Sequence, residues 1–316
     1  AREISETYKE LSIEDKKKFF QEIDKKLKPN MDLVEQKSIE FVKDKSKETL
    51  KSLAALAEGR RQEFIRRMNM APNGTAFLVS MREDLLRCVV EDPSLQDLDE
   101  DFRHLFRSWF NPGFLKLEKI TWETKAAILE RIIKYEKVHK IKDMDDLKRR
   151  LQEDRRFFAY FHPVLHDEPL IFVQVAFTEG LATCIQDIIK PTMDSKLKAD
   201  TATFYSISNC QQGLTNVTLG NFLIKRVVYE IQQENSKIKH FGTLSPLPGF
   251  VDWFNYLEEA KIISIIGAED FSKIKFLHNA DVKVGDPRII EHQAIVKKLA
   301  VHYLIKEKVN NKPVNS

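Results

Sequence analysis

The pattern of apolar residues changes at Asn111-Pro112-Gly113, and that change limits what the 316-residue chain can fold into. Before this point apolar residues recur three and four apart, as on one face of a helix, and no alternating run typical of a strand occurs. After it, aromatic and β-branched runs alternate with amphipathic stretches, which is the order of an α/β region. The sequence therefore predicts an all-helical domain at 1–110 followed by an α/β domain at 111–316.

Capping signals divide the helical region. Ser12 and Asp15 resemble a capping box before KKKFFQEIDKKL. The apolar spacing predicts a helical stretch from 31 to 56, with Gly59 as its stop. Further helices are predicted at 60–70, 74–90 and 96–110. Together they are typical of a helix bundle or a helix-hairpin module.

Three aromatic and β-branched runs predict strands in the second region: RFFAYFH (156–162), PLIFVQVAF (169–177) and TATFYSIS (201–208). A helix at 219–234, a short strand at 239–244 and a helix from about 249 are predicted to follow. This strand–helix–strand unit predicts a crossover between parallel strands. The tail from 261 to 308 is predicted to be mostly helical, with Gly285-Asp286-Pro287 as a break.

Charge and composition argue against several classes of partner. The 51 basic and 48 acidic side chains leave a net charge of +3, so no general attraction to nucleic acid or to a membrane surface is expected. No apolar run approaches the roughly 20 residues that span a bilayer, and membrane insertion is not expected. Three scattered cysteines without a C-x-x-C pair favour a reducing compartment.

The turn NCQQGLTNVTLG, between the third predicted strand and the next helix, is the strongest local signal for a ligand site. Such a turn presents backbone N–H groups and the positive end of a helix dipole, which suit a phosphate. Gly213 and Gly220 would allow close approach of the backbone, and Lys225 and Arg226 would add positive field. The motif is neither a Walker loop nor G-x-G-x-x-G, so an ordinary strand-to-helix turn is the alternative.

Ser245, in TLSPLPGF (243–250), has two interpretations. As a serine followed by Pro246, it fits a helix N-cap with proline at the first helical position. It also lies at the carboxyl end of the strand after the candidate phosphate-binding helix, where open α/β sheets place their ligands. The two roles are compatible, and we expect Ser245 to cap the helix and to face the ligand.

The eight histidines are scattered and form no metal-ligating pattern. His162 and His166 are four apart, but Pro163 between them argues against a helical pair of ligands. The sequence also lacks H-E-x-x-H and G-x-S-x-G. We therefore expect no metal site.

Two long motifs, FYSISNCQQGLTNVTLGNFLIKRVV (204–228) and FGTLSPLPGFVDW (241–253), resemble the malonyl-CoA decarboxylase family. Three further segments are similar to the same family: HLFRSWFNPGFLKLEKITW (104–122), DMDDLKRRL (143–151) and LVSMREDLL (78–86). The resemblance covers most of the chain from residue 74 onward, whereas the first 70 residues match in helical character only.

The resemblance implies a helical domain used in homo-oligomerisation, followed by a catalytic domain of the GCN5-related acetyltransferase fold. In that fold the turn before the helix at 219 holds the pyrophosphate of coenzyme A. Carried over by position, this pyrophosphate loop consists of Thr215, Asn216, Val217, Thr218, Leu219, Gly220 and Asn221. Thr215 and Thr218 depart from the acetyltransferase pattern Q/R-x-x-G-x-G/A, but binding through backbone amides does not depend on those side chains.

The resemblance also implies a carboxy-lyase reaction, in which malonyl-CoA and a proton give acetyl-CoA and CO2, with Ser245 as the active-site serine. Loss of CO2 leaves an enolate, so catalysis requires an oxyanion stabiliser, an oriented carboxylate and an acid that protonates carbon. The thioester itself delocalises the charge. No cofactor is therefore expected, and coenzyme A is part of the substrate.

In the family the acid is a histidine in a downstream segment that resembles H-L-Q-N-G-A and follows N-P-V-A. The chain reaches Lys312-Pro313-Val314-Asn315-Ser316 at the threshold of that segment. We therefore expect a C-terminally incomplete enzyme, with little or no activity as it stands.

Two other functions stay open on the sequence. One is an acyl-CoA transferase of the acetyltransferase fold, and the other is a non-catalytic coenzyme A-binding or scaffold protein. TLSPLPGF favours the decarboxylase, because generic acetyltransferases lack it. The expected compartment is the mitochondrial matrix, with peroxisome and cytosol as alternatives.

Overall fold

A computed structural model of the chain describes residues 2–189, 198–217, 219–278, 286–309 and 312–314. The contacts between residues group 1–245 and 246–316 into two compact units. Within the described ranges, no helix is both long enough and apolar enough to cross a membrane.

The first unit begins with helices and continues with a sheet whose strands alternate with further helices. The helices are α1 (Arg2–Glu10), α2 (Ile13–Leu27), α3 (Met31–Asp44), α4 (Lys47–Glu58), α5 (Arg61–Asn69), α6 (Gly74–Glu91), α7 (Gln96–Trp109), α8 (Ala126–Tyr135), α9 (Met144–Arg150), α10 (Ile185–Ile188) and α11 (Gly220–Glu234). The strands are β1 (Lys116–Lys119), β2 (Arg155–Phe161), β3 (Pro169–Thr178), β4 (Thr201–Asn209) and β5 (His240–Thr243). Short 3-10 turns lie at Pro93–Leu95, Pro112–Phe114 and Gln212–Leu214.

The caps predicted for the N-terminal helices are confirmed. Ser12 begins α2, because its hydroxyl oxygen accepts a hydrogen bond from the Asp15 amide at 3.2 Å. Gly59 ends α4 with φ 69°, a backbone conformation that glycine adopts without strain. Local sequence signals therefore suffice to place these two helix ends.

The helical stretch predicted from 31 to 56 is interrupted, which corrects the prediction. Lys45 ends α3 in a left-handed conformation with φ 49°. Ser46 then begins α4 by accepting a hydrogen bond from the Thr49 amide at 3.2 Å. A capping serine thus outweighs continuous apolar spacing, since it offers the backbone a competing hydrogen bond.

The five strands form one sheet in sequence order, antiparallel from β1 to β4 and parallel between β4 and β5. The parallel pair confirms the crossover predicted around α11. β1 was not predicted, because its sequence KLEK carries charges at three of four positions. It pairs along the described part of the sheet only with β2, and an edge strand of this kind tolerates charged side chains.

One hydrophobic core joins the N-terminal helices to a face of the sheet. Phe106 of α7, Val173 of β3 and Leu223 of α11 all belong to it. On the other face, Ile132 of α8 packs in a second core that includes Phe172. Helices α1, α2, α5, α6 and α7 therefore share their core with the sheet. The predicted domain boundary at 110 stays a prediction.

The second unit is mostly helical in its described part, which confirms the prediction for the tail. Its elements are α12 (Phe250–Tyr256), α13 (Glu259–Ile266), α14 (Ala268–Ile274), α15 (Pro287–Glu291), α16 (Gln293–Lys306), β6 (Lys308–Val309) and β7 (Lys312–Pro313). Phe254, Ile262 and Leu299 lie in its small core. Asp286 caps α15 as the predicted break suggests, whereas Gly285 lies outside the described residues.

Candidate active site

The two motifs meet at the carboxyl ends of neighbouring parallel strands. β5 pairs with the first half of β4, ending with Thr243 opposite Phe204. The Leu244 amide then donates a hydrogen bond to the Phe204 carbonyl at 2.8 Å. Ser245 therefore lies at the point where the chain after β5 separates from β4. β4 continues to Asn209, and no described strand pairs with that edge of it beyond Phe204. An α/β sheet binds its ligands at such a place.

The predicted pyrophosphate loop follows β4, and its polar and apolar side chains point to opposite sides. Thr215 and Asn216 are exposed, whereas Val217 and Leu219 are buried in the main core. Asn216 has φ 64°, a left-handed conformation that asparagine tolerates better than most residues. The apolar side chains therefore anchor the loop while its polar part faces solvent.

Helix α11 begins at Gly220 without a side-chain cap. Leu219 occupies the cap position and has no oxygen that could accept from the first-turn amides. A Cβ on Gly220 would contact only Ile171, at 3.8 Å, so the helix start is not crowded by the described residues. The first-turn amides and the positive end of the dipole can then bind an anion. Thr218 and the side chain of Asn221 lie outside the described residues.

Gly213 makes the close approach predicted for it, but to a helix and not to a ligand. A Cβ added to this buried glycine would lie 1.9 Å from the carbonyl oxygen of Val79 in α6. Such a distance is far inside van der Waals contact, so only glycine fits. The 3-10 turn at Gln212–Leu214, which precedes the loop, therefore packs directly against α6.

Lys225 and Arg226 lie on the exposed side of α11. The Arg226 guanidinium pairs with Glu230 at 2.9 Å and lies 5.4 Å from the centre of the Tyr229 ring. Both cations add positive charge along the helix, as predicted, and Arg226 is held by its own helix.

Ser245 does not cap a helix, and that part of the prediction is wrong. Helix α12 begins at Phe250, and Gly249, with φ 74°, occupies its cap position. Pro246 and Pro248 explain the delay, because each disfavours helical backbone in the residue before it. Ser245 is exposed, and among the described residues its hydroxyl has no hydrogen-bond partner, so it can serve a ligand.

A buried carboxylate lies beside the part of β4 that extends past β5. Glu136, 4% exposed, accepts hydrogen bonds from the hydroxyls of Ser206 at 2.7 Å and Ser208 at 3.3 Å, and from the Gln174 side chain. The Tyr205 hydroxyl donates to Gln174 at 2.9 Å. This network ties β4 to β3 and to the segment after α8, and it makes the strand before the loop rigid. Sequence patterns did not reveal it, although two alternate serines in an apolar strand were a signal.

Burial disfavours ionisation of three side chains near this strand. Desolvation raises the pKa of the Tyr205 hydroxyl and of the Cys210 thiol well above their usual ranges. Desolvation also lowers the pKa of His139, although Glu136 acts in the opposite direction. The Cys210 thiol therefore stays protonated and is not a nucleophile at neutral pH.

Among the described residues, no group of three or more histidine, cysteine, aspartate or glutamate side chains is arranged to hold a metal ion. His162 and His166 lie in the segment between β2 and β3, so the strand predicted at 156–162 ends one residue earlier, at Phe161. The His162 ring packs against Phe110 in a tilted arrangement, with 5.0 Å between the ring centres, and its Nε2 lies 3.2 Å from the Trp109 carbonyl oxygen. Its contacts indicate a structural role.

The chain is an α/β protein in which helices share a core with a five-stranded mixed sheet. The uncapped helix start and the exposed serine form a candidate ligand site at the parallel strand ends. Comparison with family models then identifies the protein family. The model of the malonyl-CoA decarboxylase N-terminal domain matches residues 27–110, and the model of the malonyl-CoA decarboxylase C-terminal domain matches residues 113–316. The chain belongs to the malonyl-CoA decarboxylase family, and the resemblance noted in the sequence is confirmed.

Curated relatives and solved structures agree with this membership. The chain is 38% identical over 203 residues to "Malonyl-CoA decarboxylase, mitochondrial" of Anser anser anser, which is 61% of this chain and 40% of the relative. The protein of the same name from Mus musculus is 40% identical over 188 residues, 57% of this chain and 38% of the relative. The chain thus spans about two fifths of the length of these curated relatives.

Two solved malonyl-CoA decarboxylases match nearly the whole chain. The structure from Agrobacterium vitis is 40% identical with a TM-score of 0.89, covering 99% of this chain and 77% of its own. The structure from Rhodopseudomonas palustris is 40% identical with a TM-score of 0.85, covering 98% of this chain and 76% of its own. The predicted fold class, N-terminal helices followed by an α/β domain, is confirmed.

Proposed function

We propose that the protein is a malonyl-CoA decarboxylase, which converts malonyl-CoA and a proton to acetyl-CoA and CO2. One observation carries the proposal: an uncapped helix start after β4 and an exposed serine after β5 stand at adjacent ends of parallel strands. The first suits a diphosphate and the second suits a reacting acyl group. The family names of the relatives support the same substrate.

Coenzyme A would bind with its pyrophosphate on the loop from Thr215 to Asn221. The unpaired edge of β4, from Tyr205 to Asn209, would receive the extended pantetheine arm. A strand edge offers amide and carbonyl groups at regular spacing, and the amide bonds of pantetheine can pair with them. This path leads from the loop towards Ser245, where the malonyl group would lie.

The Ser245 hydroxyl would donate a hydrogen bond to the malonyl group and orient its carboxylate for departure. The negative charge left on the thioester enolate needs a donor of this kind, and the serine need not become acylated. Because the thioester delocalises the charge, we propose that the reaction uses no resident cofactor. Coenzyme A enters and leaves as part of the substrate and product.

The test is CO2 release from malonyl-CoA, assayed with this chain and with the product of the full open reading frame. Ser245→Ala should lower kcat by about 100-fold or more, since it removes a donor to developing charge. The matched control is Ser236→Ala, an exposed serine in the turn between α11 and β5, which should leave kcat unchanged. An equal decrease of kcat in both variants, or an unchanged kcat in both, would contradict the role of Ser245.

Assays of the products separate the two alternatives. An acyl-CoA transferase would release free coenzyme A thiol and transfer the acyl group to an acceptor without releasing CO2. A coenzyme A-binding or scaffold protein would bind malonyl-CoA without turnover in either form of the protein. Either result would replace the decarboxylase proposal.

We further propose that the protein is a homo-oligomer that assembles through its N-terminal helices. Helices α3 and α4 pack on each other, and neither contains a buried residue. Ile39, Val42 and Leu50 are half exposed or more on this hairpin. A second copy of the chain would cover these apolar side chains. Light scattering should show that Val42→Asp dissociates the assembly, while the control Val90→Asp, at a valine that is also largely exposed, does not. A monomeric parent would contradict the proposal.

The mitochondrial matrix is the compartment we propose. Curated relatives from goose, mouse and rat carry "mitochondrial" in their names. Imaging of a tagged product of the full open reading frame would test this location, and peroxisomal or cytosolic signal would contradict it.

A further inference from the structure

We propose that Arg82, on helix α6, is a positioning residue for coenzyme A. It holds the turn that leads from β4 into the pyrophosphate loop, although it belongs to the N-terminal helical region. The inference rests on the proposed function of that loop. Arg82 lies within LVSMREDLL (78–86), one of the segments that resemble the family, but the resemblance assigned no role to this residue.

Arg82 is completely buried, and one nitrogen of its guanidinium holds two backbone carbonyls of the turn. Nη1 donates to the Gly213 oxygen at 2.6 Å and to the Thr215 oxygen at 2.9 Å. Hydrogen bonds from a charged donor are stronger than neutral ones, especially where water is absent. The backbone just before the loop is therefore held by a side chain from 131 residues earlier.

Asp99 of α7 keeps the guanidinium in this orientation. Its two carboxylate oxygens accept from Arg82 Nε at 2.8 Å and Nη2 at 3.3 Å. The Phe106 ring lies 6.0 Å from the guanidinium carbon. Asp99 and Phe106, both on α7, thus fix the orientation of the Arg82 guanidinium, and the ion pair with Asp99 neutralises its charge in the interior. A lysine ammonium could not reproduce this geometry, because it lacks the fixed fork of donors.

The consequence for the ligand follows from peptide planarity. In a trans peptide the carbonyl and the next amide point in opposite directions. Because the Thr215 carbonyl points inward to Arg82, the Asn216 amide must point away from the helices. That amide belongs to the exposed part of the pyrophosphate loop, where a diphosphate would accept its hydrogen bond.

Two neighbouring contacts restrict the same turn. Gly213 touches the α6 backbone at Val79, one turn of helix before Arg82. Leu214 and Val217 are buried in the core shared with the helices. The turn therefore has little freedom to rotate its peptides, and removal of Arg82 would release the restraint that acts on the carbonyls themselves.

The experiment measures the affinity of the chain for coenzyme A by calorimetry. Arg82→Met should weaken Kd at least tenfold. Arg82→Lys keeps the charge and much of the volume, so it guards against failure to fold, and it should weaken Kd by an intermediate factor. Arg61→Met is the matched control, because Arg61 is also buried and ion-paired, with Asp24 at 2.6 Å, but it does not touch the loop. It should change Kd by less than twofold.

A second measurement distinguishes positioning from general damage. In the product of the full open reading frame with malonyl-CoA as substrate, Arg82→Lys should raise KM and leave kcat near that of the parent. Malonyl-pantetheine, which lacks the pyrophosphate, should be turned over equally by the parent and the variant. Unchanged Kd for coenzyme A in both Arg82 variants, or an equal loss in Arg61→Met, would overturn the inference.

The two proposals fail in distinguishable ways. Coenzyme A binding that depends on Arg82, without CO2 release by the product of the full open reading frame, would overturn the decarboxylase and keep the positioning role. CO2 release with Kd and KM independent of Arg82 would keep the decarboxylase proposal and overturn the positioning role. A parent chain that does not bind coenzyme A would overturn the positioning role.

Discussion

The proposed pyrophosphate loop and the serine segment flank the same candidate site but are held in different ways. The loop is fixed from within, by the Arg82 hydrogen bonds, by the contact of Gly213 with α6 and by the buried side chain of Val217. Ser245 is exposed, and the nearest described tether is the Leu244 amide on the Phe204 carbonyl. The binding half of the site is thus far more restrained than the chemical half.

The difference corresponds to what each half must do. A diphosphate is recognised by backbone amides, which point correctly only if the whole turn is held. A hydroxyl can rotate about its own bonds to reach a ligand, so its backbone needs less restraint. Substitutions of buried residues should therefore change the conformation of the loop, whereas substitutions at the surface should affect only the serine segment.

The largest effect is expected from Gly213→Ala. The added methyl group would overlap the Val79 carbonyl, and neither backbone can move freely, so unfolding free energy should fall by about 3 kcal/mol. Urea denaturation measures this change. Gly220→Ala is the control, because its methyl group would make only an ordinary van der Waals contact, with Ile171 at 3.8 Å, and it should stay within about 0.5 kcal/mol. Similar losses in both variants would show that the loop is not packed against α6.

A pair of leucines compares the anchors of the two halves directly. Leu223, on the inward face of α11, is fully buried, whereas Leu244, beside the serine, is half-buried. Leu223→Ala should therefore cost about 3 kcal/mol of unfolding free energy and Leu244→Ala about 1 kcal/mol. Equal costs in urea denaturation would mean that the serine segment is anchored as firmly as the helix.

The smallest effect concerns Glu234, at the far end of α11. A hydrogen bond from Arg156 lowers the pKa of its carboxyl group below the usual value, with Lys119 acting in the same direction. The unfolded chain then binds more protons, so this stabilisation is present above the ordinary pKa of about 4.3 and is lost as pH falls through the lowered folded value. Because the carboxylate is partly exposed, we expect less than about 1 kcal/mol.

Glu234→Gln should remove this part of the pH dependence, measured as unfolding free energy between about pH 6 and about pH 3. Coenzyme A binding should not change, because the loop lies at the opposite end of the helix. Weaker binding in this variant would show that restraint of the loop extends along all of α11.

The sequence by itself determined the local elements and the family. Periodicity marked most helices and strands, Ser12 and Gly59 marked helix ends, and the two long motifs placed Thr215 and Ser245 at the same sheet edge. These features depend on neighbouring residues, since capping and amphipathic spacing act over one or two turns of chain. The cap predicted at Ser245 failed because the prolines after it exert a local effect of their own.

Only the tertiary structure decided how the loop is held. The sequence places Arg82 in a predicted helix and in a family-like segment but gives it no contact, and it suggests that Gly213 admits a ligand. Their meeting, and that of Glu136 with Ser206 and Ser208, requires segments 70 to 131 residues apart to pack together. An unpaired charge in the interior costs too much free energy, so a buried charged group must pair with a polar group that the fold places beside it. The spacing of residues in the sequence does not show which group that is.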